Sequence, residues 1–551
     1  MTLKLEMDWL APKCTACKKC DATHIAVPDN SSSPCSSASR QCEACMRVNK
    51  LTPEVEEAAE KLKQLIVALQ NAKQDMNHHH CSVVKKLPPE ILSIIFEFYV
   101  ARALAPSLPE DIHKFEAPQS QVLPIPLVLS QVCHRWREVA LSTPQIWTTF
   151  ALSLDLCCRS PGLDLMRAWV SRTRNHALTV HLYSSLRNDY RSPSPHPSLL
   201  PVLQILAAAS GQWRRFNIRV PISTLNYLGT HMQHHPLLET LAIRLISLHM
   251  DVASLTNQLW KAVTTLRVEG IDAEDCVMLV SSAPNLVTCI FEKIISTEDE
   301  GSWHVNQPVI EHKNIHHLAH DSEESCYIFY RLKLPNLKIL ASASRYDLQD
   351  MSTVFPVFVK NSGLEKLEVL KLPDSFTFAE LQSVLSAIPT ITRFTLGCFT
   401  TSSEAIVISL LQHLGRTAAI DSSHAFLPNL TSLEFEVYDP DFPWHRVWEG
   451  FEHKALDSGS ENEHDTKYRP LSTFKVINTM DFSNMSDDDV DWERLMIPRH
   501  ILEDLIDLME RGVEILFEDV AGVDLFTESM DHVNMDLELC PRYKACRVNK
   551  G

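Results

Sequence analysis

The pattern that decides the fold is Leu238-Glu239-Thr240-Leu241-Ala242-Ile243, in which large apolar residues occupy the first, fourth and sixth positions. It returns downstream at intervals of roughly 22 to 30 residues, which stretch to about 40 near the end. Further clear copies begin at Val263, Leu286, Leu337, Leu367, Ile391, Leu430 and Leu471, and weaker copies begin at Trp147, Trp213 and Ile315. The period-two alternation predicts a short strand in each copy, and intervening stretches such as 378–388 have helical spacing.

Strands that alternate with helices at a regular interval predict a curved α/β solenoid, with parallel strands along its concave side. Residues 150–540 therefore resemble an irregular leucine-rich repeat domain, although the asparagine ladder of the regular repeats is missing. Pro-Asn pairs at 284–285, 335–336 and 428–429 predict the turns that lead into strands. A helix around 501–509 is expected to be an acidic cap at the end of the array. The alternative is an ordinary α/β domain with coincidental leucine spacing.

The same alternation assigns a face to the charged residues of the copies. Positions four and six point into the core, so positions three, five and seven point into the concavity. Candidate target-binding residues on this face are Arg244, Arg267, Lys371, Arg393, Glu434 and Glu436. We expect these side chains to face solvent, to contribute little to folding and to contact a target protein of complementary charge.

Two predicted helices between residues 84 and 149 each have a broad apolar face. The first begins at Leu87-Pro88-Pro89-Glu90-Ile91-Leu92, and the second covers about 127–141. Pro88 suits a first helical position, and Glu90 complements the N-terminal end of the helix dipole. Prolines in an insert of about 102–126 predict a surface loop between the helices. So small a module buries little by itself, which favours a partner at one apolar face.

This segment resembles the F-box. The similarity consists of an L-P-x-E-I-L start, an aliphatic-Phe pair, then V-C-x-x-W-R-x-x-A and a closing Trp, and it is greatest with a large fungal group whose two helices are separated by a Pro-rich insert. The resemblance implies binding to the Skp adaptor of a cullin–RING (SCF-type) ubiquitin ligase. The implied contact residues are Leu87, Pro88, Glu90, Ile91, Leu92, Ile95, Phe96, Val132, Cys133, Trp136 and Trp147. An ordinary helical hairpin that only fills a core is the alternative.

Residues 1–50 form a polar arm that contains cysteine pairs. Cys17 with Cys20, and Cys42 with Cys45, have the C-x-x-C spacing that could place four thiolates around a zinc ion. The alternative is a disordered arm with free thiols, which the Ser run and prolines between the pairs favour.

A heptad-patterned helix is predicted from 53 to 77. Apolar residues alternate there by three and four, for example at Val55, Leu62, Leu65 and Leu69. Thr52 and Pro53 are expected to start the helix as N-cap and first residue. The helix could self-associate, pack back on the F-box or fray, since three heptads are marginal for an isolated coiled coil.

Composition excludes several classes of function. The formal net charge of -18 over 551 residues, without a block of Lys and Arg, opposes binding to nucleic acid. Common phosphate-cradle and nucleophile-elbow motifs are absent from the sequence. Acidic residues near the start lie where a signal peptide would have its apolar core, so we expect no signal peptide, and no apolar stretch of the sequence reaches membrane-spanning length. We expect an intracellular protein, cytoplasmic or nuclear, that is not an enzyme and uses no cofactor or membrane.

The sequence thus favours a substrate-recognition subunit of a cullin–RING ligase, in which the F-box binds the Skp adaptor and the repeats bind an unknown target protein. A scaffold or regulatory protein that uses the repeats outside any ligase is the main alternative. A zinc-dependent nucleic-acid binder built on residues 14–45 is a third, which the acidic balance opposes.

Overall fold

The computed structural model describes residues 43–80, 87–104, 125–154, 160–184, 194–232, 237–245, 260–294, 308–322, 327–343, 351–399, 403–420, 425–438, 442–451, 468–480, 496–520 and 522–533. The chain divides into two units, Met1–Ile91 and Leu92–Gly551. Among the helices of the described ranges, none is both long enough and apolar enough to cross a bilayer.

The first unit contains one long helix, α1 (Glu43–His80). It includes the whole of the predicted stretch 53–77, but it begins well before Thr52, so Pro53 lies inside the helix. Thr52 is not an N-cap, because its hydroxyl donates to the carbonyl of Val48 at 2.8 Å, one turn back in the same helix. The helix start predicted from the Thr-Pro pair therefore differs from the one observed.

Three helices and a short 3₁₀ segment precede the repeats: α2 (Pro89–Leu104), α3 (Ile125–Val132), α4 (His134–Ser142) and the 3₁₀ segment Pro144–Trp147. The single helix predicted over 127–141 is two helices. Cys133 interrupts it with an extended backbone, φ −157°, and acts as the N-cap of α4, since its thiol accepts from the N–H of Trp136 at 3.5 Å.

In the described part of the second unit, thirteen strands form one parallel sheet in chain order. They are β1 (Thr149–Ser153), β2 (Leu178–Tyr183), β3 (Trp213–Val220), β4 (Thr240–Leu245), β5 (Thr265–Glu269), β6 (Thr288–Ile294), β8 (His317–Ser322), β10 (Ile339–Ala343), β11 (Val369–Leu372), β12 (Arg393–Cys398), β13 (Ser432–Val437), β14 (Thr473–Asn478) and β15 (Glu514–Asp519). Two further strands, β7 (Ile310–Glu311) and β9 (Leu332–Lys333), pair with each other.

The predicted repeat is confirmed, because every copy supplies a strand of this sheet. The fourth positions of the copies lie directly beside one another and are fully buried: Leu241, Leu266, Cys289, Leu318, Leu340, Leu370, Phe394, Leu433 and Phe474. The alignment missed β2 and β15, although both alternate at period two, as in Leu178, Val180 and Leu182. The predicted fold class, a small helical module followed by an α/β solenoid, is correct.

In the thirteen-stranded sheet, each strand from β5 to β14 enters through a shared backbone acceptor. The carbonyl of Glu239, for example, accepts from the N–H groups of both Thr264 and Thr265, at 2.9 and 3.0 Å. The same double contact is made in turn by the carbonyls of Thr264, Val287, His316, Lys338, Glu368, Thr392 and Thr431. Because one residue of each turn binds two consecutive residues of the next strand, the register of neighbouring strands is fixed at the strand entrance.

The helices between strands are α5 (Ser160–Thr173), α6 (Leu200–Ala208), α7 (Ile222–His231), α8 (Ala273–Ser282), α9 (Ile328–Arg331), α10 (Met351–Ser362), α11 (Phe378–Ser386), α12 (Ser403–Arg416), α13 (Arg499–Glu510) and α14 (Leu525–His532). Neighbours such as α10 and α11 pack in chain order, so the helices form one layer over one face of the sheet. The acidic helix predicted to end the array is α13, but β15 and α14 follow it. It is therefore an internal helix of the repeats.

Asparagines link successive turns of the repeats, at a position other than that of the ladder in regular repeats. The side-chain amide of Asn285 donates to the carbonyl of Lys261 in the preceding turn at 2.7 Å. Asn314, Asn336 and Asn429 repeat this contact with the carbonyls of Pro284, Lys313 and Pro389, at 2.9, 2.8 and 3.0 Å. These residues lie in the turn before each strand, and the Pro-Asn pairs at 284–285, 335–336 and 428–429 supply three of them.

Arg469 is a charged residue that lies within the core before β14, with 2% of its surface exposed. Its guanidinium donates to the carbonyls of Leu414 and Thr417 at 2.8 Å and of Leu427 at 3.1 Å. Burial lowers the pKa of Arg469 to about 10, so the group remains protonated at neutral pH. Through these hydrogen bonds, Arg469 connects the C-terminal end of α12 with the turn that leads into β13.

Replacing Arg469 with Met is expected to lower the free energy of unfolding by about 3 kcal/mol or more, because several buried carbonyls lose a charged donor. The measurement is thermal unfolding of the full chain, with Arg416→Met as the control at an exposed arginine of α12. Equal melting temperatures for the two variants would contradict the structural role of Arg469.

Candidate functional site

Helix α2 has apolar side chains on two opposite faces. One face is buried and consists of Leu92, Phe96 and Val100. The other face, here called the apolar face of α2, consists of Ile94, Ile95, Phe98 and Tyr99. Of this face, 59% of Ile94 and 68% of Phe98 are exposed. A helix that exposes four large apolar side chains side by side is typical of a binding surface.

The buried face of α2 holds this helix against α4. The rings of Phe96 and Trp136 meet edge to face, with centroids 4.9 Å apart. The hydroxyls of Ser93 and Thr143 are 2.8 Å apart and form a hydrogen bond. These contacts fix which side of α2 faces outward.

Helices α3 and α4 add exposed apolar residues of their own. Val128 and Val132 lie one turn apart on α3, and both are exposed. Trp136 is half-buried, and its indole N–H has no hydrogen-bond acceptor in the described part of the chain. This nitrogen is buried, so Trp136 belongs to the packing between α2 and α4.

The structure separates the predicted adaptor-binding residues into two groups. Pro88, Glu90, Ile91, Ile95, Val132 and Cys133 are exposed, while Leu87 and Trp136 are half-buried. Leu92, Phe96 and Trp147 are buried. A bound protein cannot touch these three side chains in this conformation, so their assignment as contact residues is corrected to core residues that shape the module.

Trp147 joins the helical module to the first repeat. Its indole N–H donates to the carbonyl of Ala140 at 2.8 Å, and its ring packs against Trp169 of α5 at 4.8 Å. The guanidinium of Arg172 lies 4.6 Å above the ring of Trp147. The predicted closing Trp is therefore a buried residue that packs α4 against α5 of the first repeat.

The face of the sheet opposite the helix layer, here called the open face, contains the third, fifth and seventh positions of the repeats. Its charged residues are largely paired across strands. Arg267 of β5 makes two hydrogen bonds to Glu292 of β6, at 2.5 and 2.9 Å. Beside it, Glu269 binds Arg244 at 2.8 Å and Lys293 at 2.8 Å.

A second set of pairs lies towards the C-terminal end of the sheet. Lys371 of β11 reaches Glu436 of β13 at 2.6 Å, passing over β12. The residue of β12 in register with Glu436 is Gly397, where a Cβ would lie 2.5 Å from the ring of Phe399. Lys475 binds Glu518 of β15 at 3.0 Å.

Burial and pairing act against each other on the pKa values of these carboxylates. Burial alone would raise the pKa of Glu269, but hydrogen bonds from Lys293 and Arg244 outweigh it and the pKa lies below the ordinary value. Burial raises the pKa of Glu292 despite its hydrogen bonds to Arg267, and burial likewise raises the pKa of Glu434. These groups therefore depend on their neighbours to stay ionised.

The expectation that the open-face charges face solvent is wrong for most of them. Only 13% of the Arg267 side chain and 12% of the Lys371 side chain are exposed, and Glu434 is half-buried beside Thr395. Arg393 is exposed as predicted. Alternation identifies the face of a residue, but it does not show whether an opposite charge lies on the next strand.

Two exposed arginines of the open face were not among the predicted residues. Arg215 and Arg219 lie on β3, beside Thr240 and Arg244 of β4 respectively. Among the described residues, neither has a carboxylate within ion-pair distance. The alternation of β3, with Phe216, Ile218 and Val220 buried, was the signal that could have identified them.

The predicted zinc ligands lie largely outside the residues that the structure describes. Cys17, Cys20 and Cys42 lie outside them, and Cys45 is in the first turn of α1, so the zinc prediction is untested. No group of His, Cys, Asp and Glu that could hold a metal occurs in the ranges that the structure covers. A cleft of about 500 Å³ between α10 and α11 has no His, Cys or Asp among its lining residues.

Comparison with known proteins finds no similar sequence and a remote structural likeness. No protein-family model matches the sequence, and no curated protein is similar to it in sequence. Among solved structures, the chain is similar to one in the crystal structure of the Rad7 and Elc1 complex in yeast. The sequences are 15% identical, the TM-score is 0.34, and the alignment covers 72% of this chain and 94% of the other.

Reversing one charge of the Arg267–Glu292 pair is expected to destabilise the fold. Arg267→Glu would leave two carboxylates together in a largely buried place, at a cost of about 3 to 5 kcal/mol. The combination of Arg267→Glu with Glu292→Arg should recover much of this loss. Thermal unfolding of both variants tests the expectation.

The matched control is Arg214→Glu, since Arg214 pairs with Glu239 at 2.8 Å while about half of each side chain is exposed. Solvent screens an exposed pair, which therefore contributes little to stability, so this variant should unfold close to the wild-type temperature. A loss for Arg267→Glu no larger than that of the control would refute the structural role of the open-face pairs.

Proposed function

We propose that this protein is a substrate-recognition subunit of a cullin–RING ubiquitin ligase. In this proposal the helical module, α2 to α4, binds the Skp adaptor, and the open face of the sheet binds a target protein. The protein performs no bond chemistry. Its role is to hold the target near the ubiquitin-carrying enzyme and so raise the effective concentration of target lysines.

The observation that carries the adaptor assignment is the apolar face of α2. Its four side chains are exposed on a helix whose opposite face is held in place by Phe96 and Trp136. Burying a few such side chains in a partner can supply most of an interface's free energy. The F-box-like motif runs through the same helices, so sequence pattern and exposure favour the same surface.

Trp136 contributes to this assignment by positioning, because its ring packs edge to face against Phe96 on the buried side of α2. Its indole nitrogen is itself buried, so the contact holds the exposed face of α2 in place rather than offering a donor to a partner. Leu92, Phe96 and Trp147 contribute indirectly, because they hold the exposed residues in position.

The open face is the proposed target-binding surface, and its structure narrows the residues involved. Arg244, Arg267, Lys371 and Glu436 are engaged in ion pairs, so they are poor candidates for direct recognition. Arg215, Arg219 and Arg393 are exposed and positively charged. An acidic segment of a target would complement the two arginines of β3, which are about 13 Å apart along the strand.

The alternative is a scaffold that uses the same repeats outside any ligase. Both proposals assign target binding to the open face. They differ in the apolar face of α2, which binds the adaptor in a ligase subunit and has no adaptor to bind in a scaffold. Reconstitution with the purified adaptor therefore decides between them.

Ile95→Asp is expected to weaken adaptor binding by at least about 2 kcal/mol, roughly 30-fold in Kd, because it buries a charge in an apolar interface. The control is Val309→Asp, which places the same charge at an exposed valine of the repeats. Isothermal titration of each variant with purified adaptor gives the two affinities. If Ile95→Asp binds the adaptor with wild-type affinity, the apolar face of α2 is not the adaptor-binding surface.

Arg215→Glu together with Arg219→Glu is expected to weaken binding of a fluorescent peptide rich in Glu and Asp at least about 10-fold, since two attractive charges become repulsive. The melting temperature should stay near that of the wild type because both side chains are exposed. Arg416→Glu with Arg499→Glu, at exposed arginines of the helices, is the control. Equal binding by both variants would exclude β3 as the acidic-segment site.

A further inference from the structure

Helix α1 carries an apolar stripe that follows a strict heptad repeat. The residues of this stripe, here called the seam, are Val48, Leu51, Val55, Ala58, Leu62, Leu65, Leu69, Ala72 and Met76. Successive members are separated alternately by three and four residues. The helix contains 38 residues, so it is about 57 Å long, and the seam follows most of this length.

The large residues of the seam are exposed to solvent. In the centre of the helix, 53% of Leu62, 59% of Leu65 and 56% of Leu69 are accessible. Polar residues such as Gln64 and Gln70 occupy the positions beside the seam. An exposed apolar stripe along a polar helix is unstable in water by itself and requires a partner that covers it.

The spacing indicates what kind of partner fits. A repeat of 3.5 residues stays on one side of a helix only if the helix supercoils around another helix with the same repeat. An identical helix offers that repeat at the same length. The charged residues that flank the seam have both signs, namely Glu54, Lys61, Lys73 and Asp75. Two copies of the helix therefore do not repel each other as two surfaces of like charge would.

Helix α1 is longer than the three heptads that are marginal for an isolated coiled coil. The helix extends both before and after residues 53–77. Because α1 begins before Pro53, Val48 and Leu51 join the seam, which then extends from Val48 to Met76 and covers about four heptads. Pro53 itself falls at the heptad position opposite the seam, so its ring points away from a partner helix.

We propose that α1 binds α1 of a second copy of this chain in a two-stranded coiled coil, and that the protein is a homodimer. The proposal does not rest on the function proposed above. A dimer presents two open faces to one target assembly, so it strengthens the binding of targets with repeated recognition segments without any new contact.

The test is the mass of the purified full-length chain by sedimentation equilibrium. The wild type should have twice the mass of a single chain, which is 62.5 kDa. Leu65→Glu with Leu69→Glu should halve the observed mass, because two adjacent layers of the seam become charged. Gln64→Glu with Gln70→Glu adds the same charge beside the seam and should leave the dimer intact.

Circular dichroism and the melting temperature show whether each variant remains folded, and Glu is a good helix former, so the repeats should unfold as in the wild type. Leu62→Glu, a single change at the centre of the seam, provides a second and milder variant that should also shift the equilibrium to the monomer. A wild-type mass of one chain refutes the proposal. So does a dimer that survives the seam variants, or one that the control variant dissociates equally.

Discussion

The structure depends on the two hydrogen bonds that one turn carbonyl accepts from the first residues of the next strand. The carbonyls of Glu239, His316 and Thr431 are three of these acceptors, at successive places along the sheet. A parallel strand needs backbone partners on both sides, and a shift of one residue would turn every core side chain towards solvent. Because each turn binds two consecutive N–H groups, the buried fourth positions of the copies stay aligned from β4 to β14.

This alignment also creates the charge pattern of the open face. Residues in register lie about 4.8 Å apart, so like charges in register, such as Glu269 and Glu292, repel one another and require opposite charges nearby. The sheet places opposite charges at diagonal positions, as in Arg267 with Glu292, or lets a long side chain cross a glycine strand position, as Lys371 crosses beside Gly397. Paired charges stiffen the face, and the exposed arginines of β3 remain accessible to a partner.

The helical module follows a different principle, since its helices are too short to bury all of their apolar surface. Helix α2 uses one face for Phe96 and the core and leaves Ile95 with its neighbours exposed. Trp147 then connects α4 to the first repeat through hydrogen bonds and ring contacts. The module is thereby anchored by its buried face while its outer face stays free for a second protein.

The sequence by itself determined the repeats, all strands of the large sheet except β2 and β15, the face to which the residues of these strands point and the heptads of α1, because these depend on the period of apolar residues along a single element. It did not show that Arg267 is paired or that Asn285 binds the turn of Lys261, since these contacts join residues some 25 positions apart. Nor could it separate the buried Trp147 from the exposed Ile95 within one motif, because both are apolar. The strand register and the helix packing decided those points, since only they bring distant residues together.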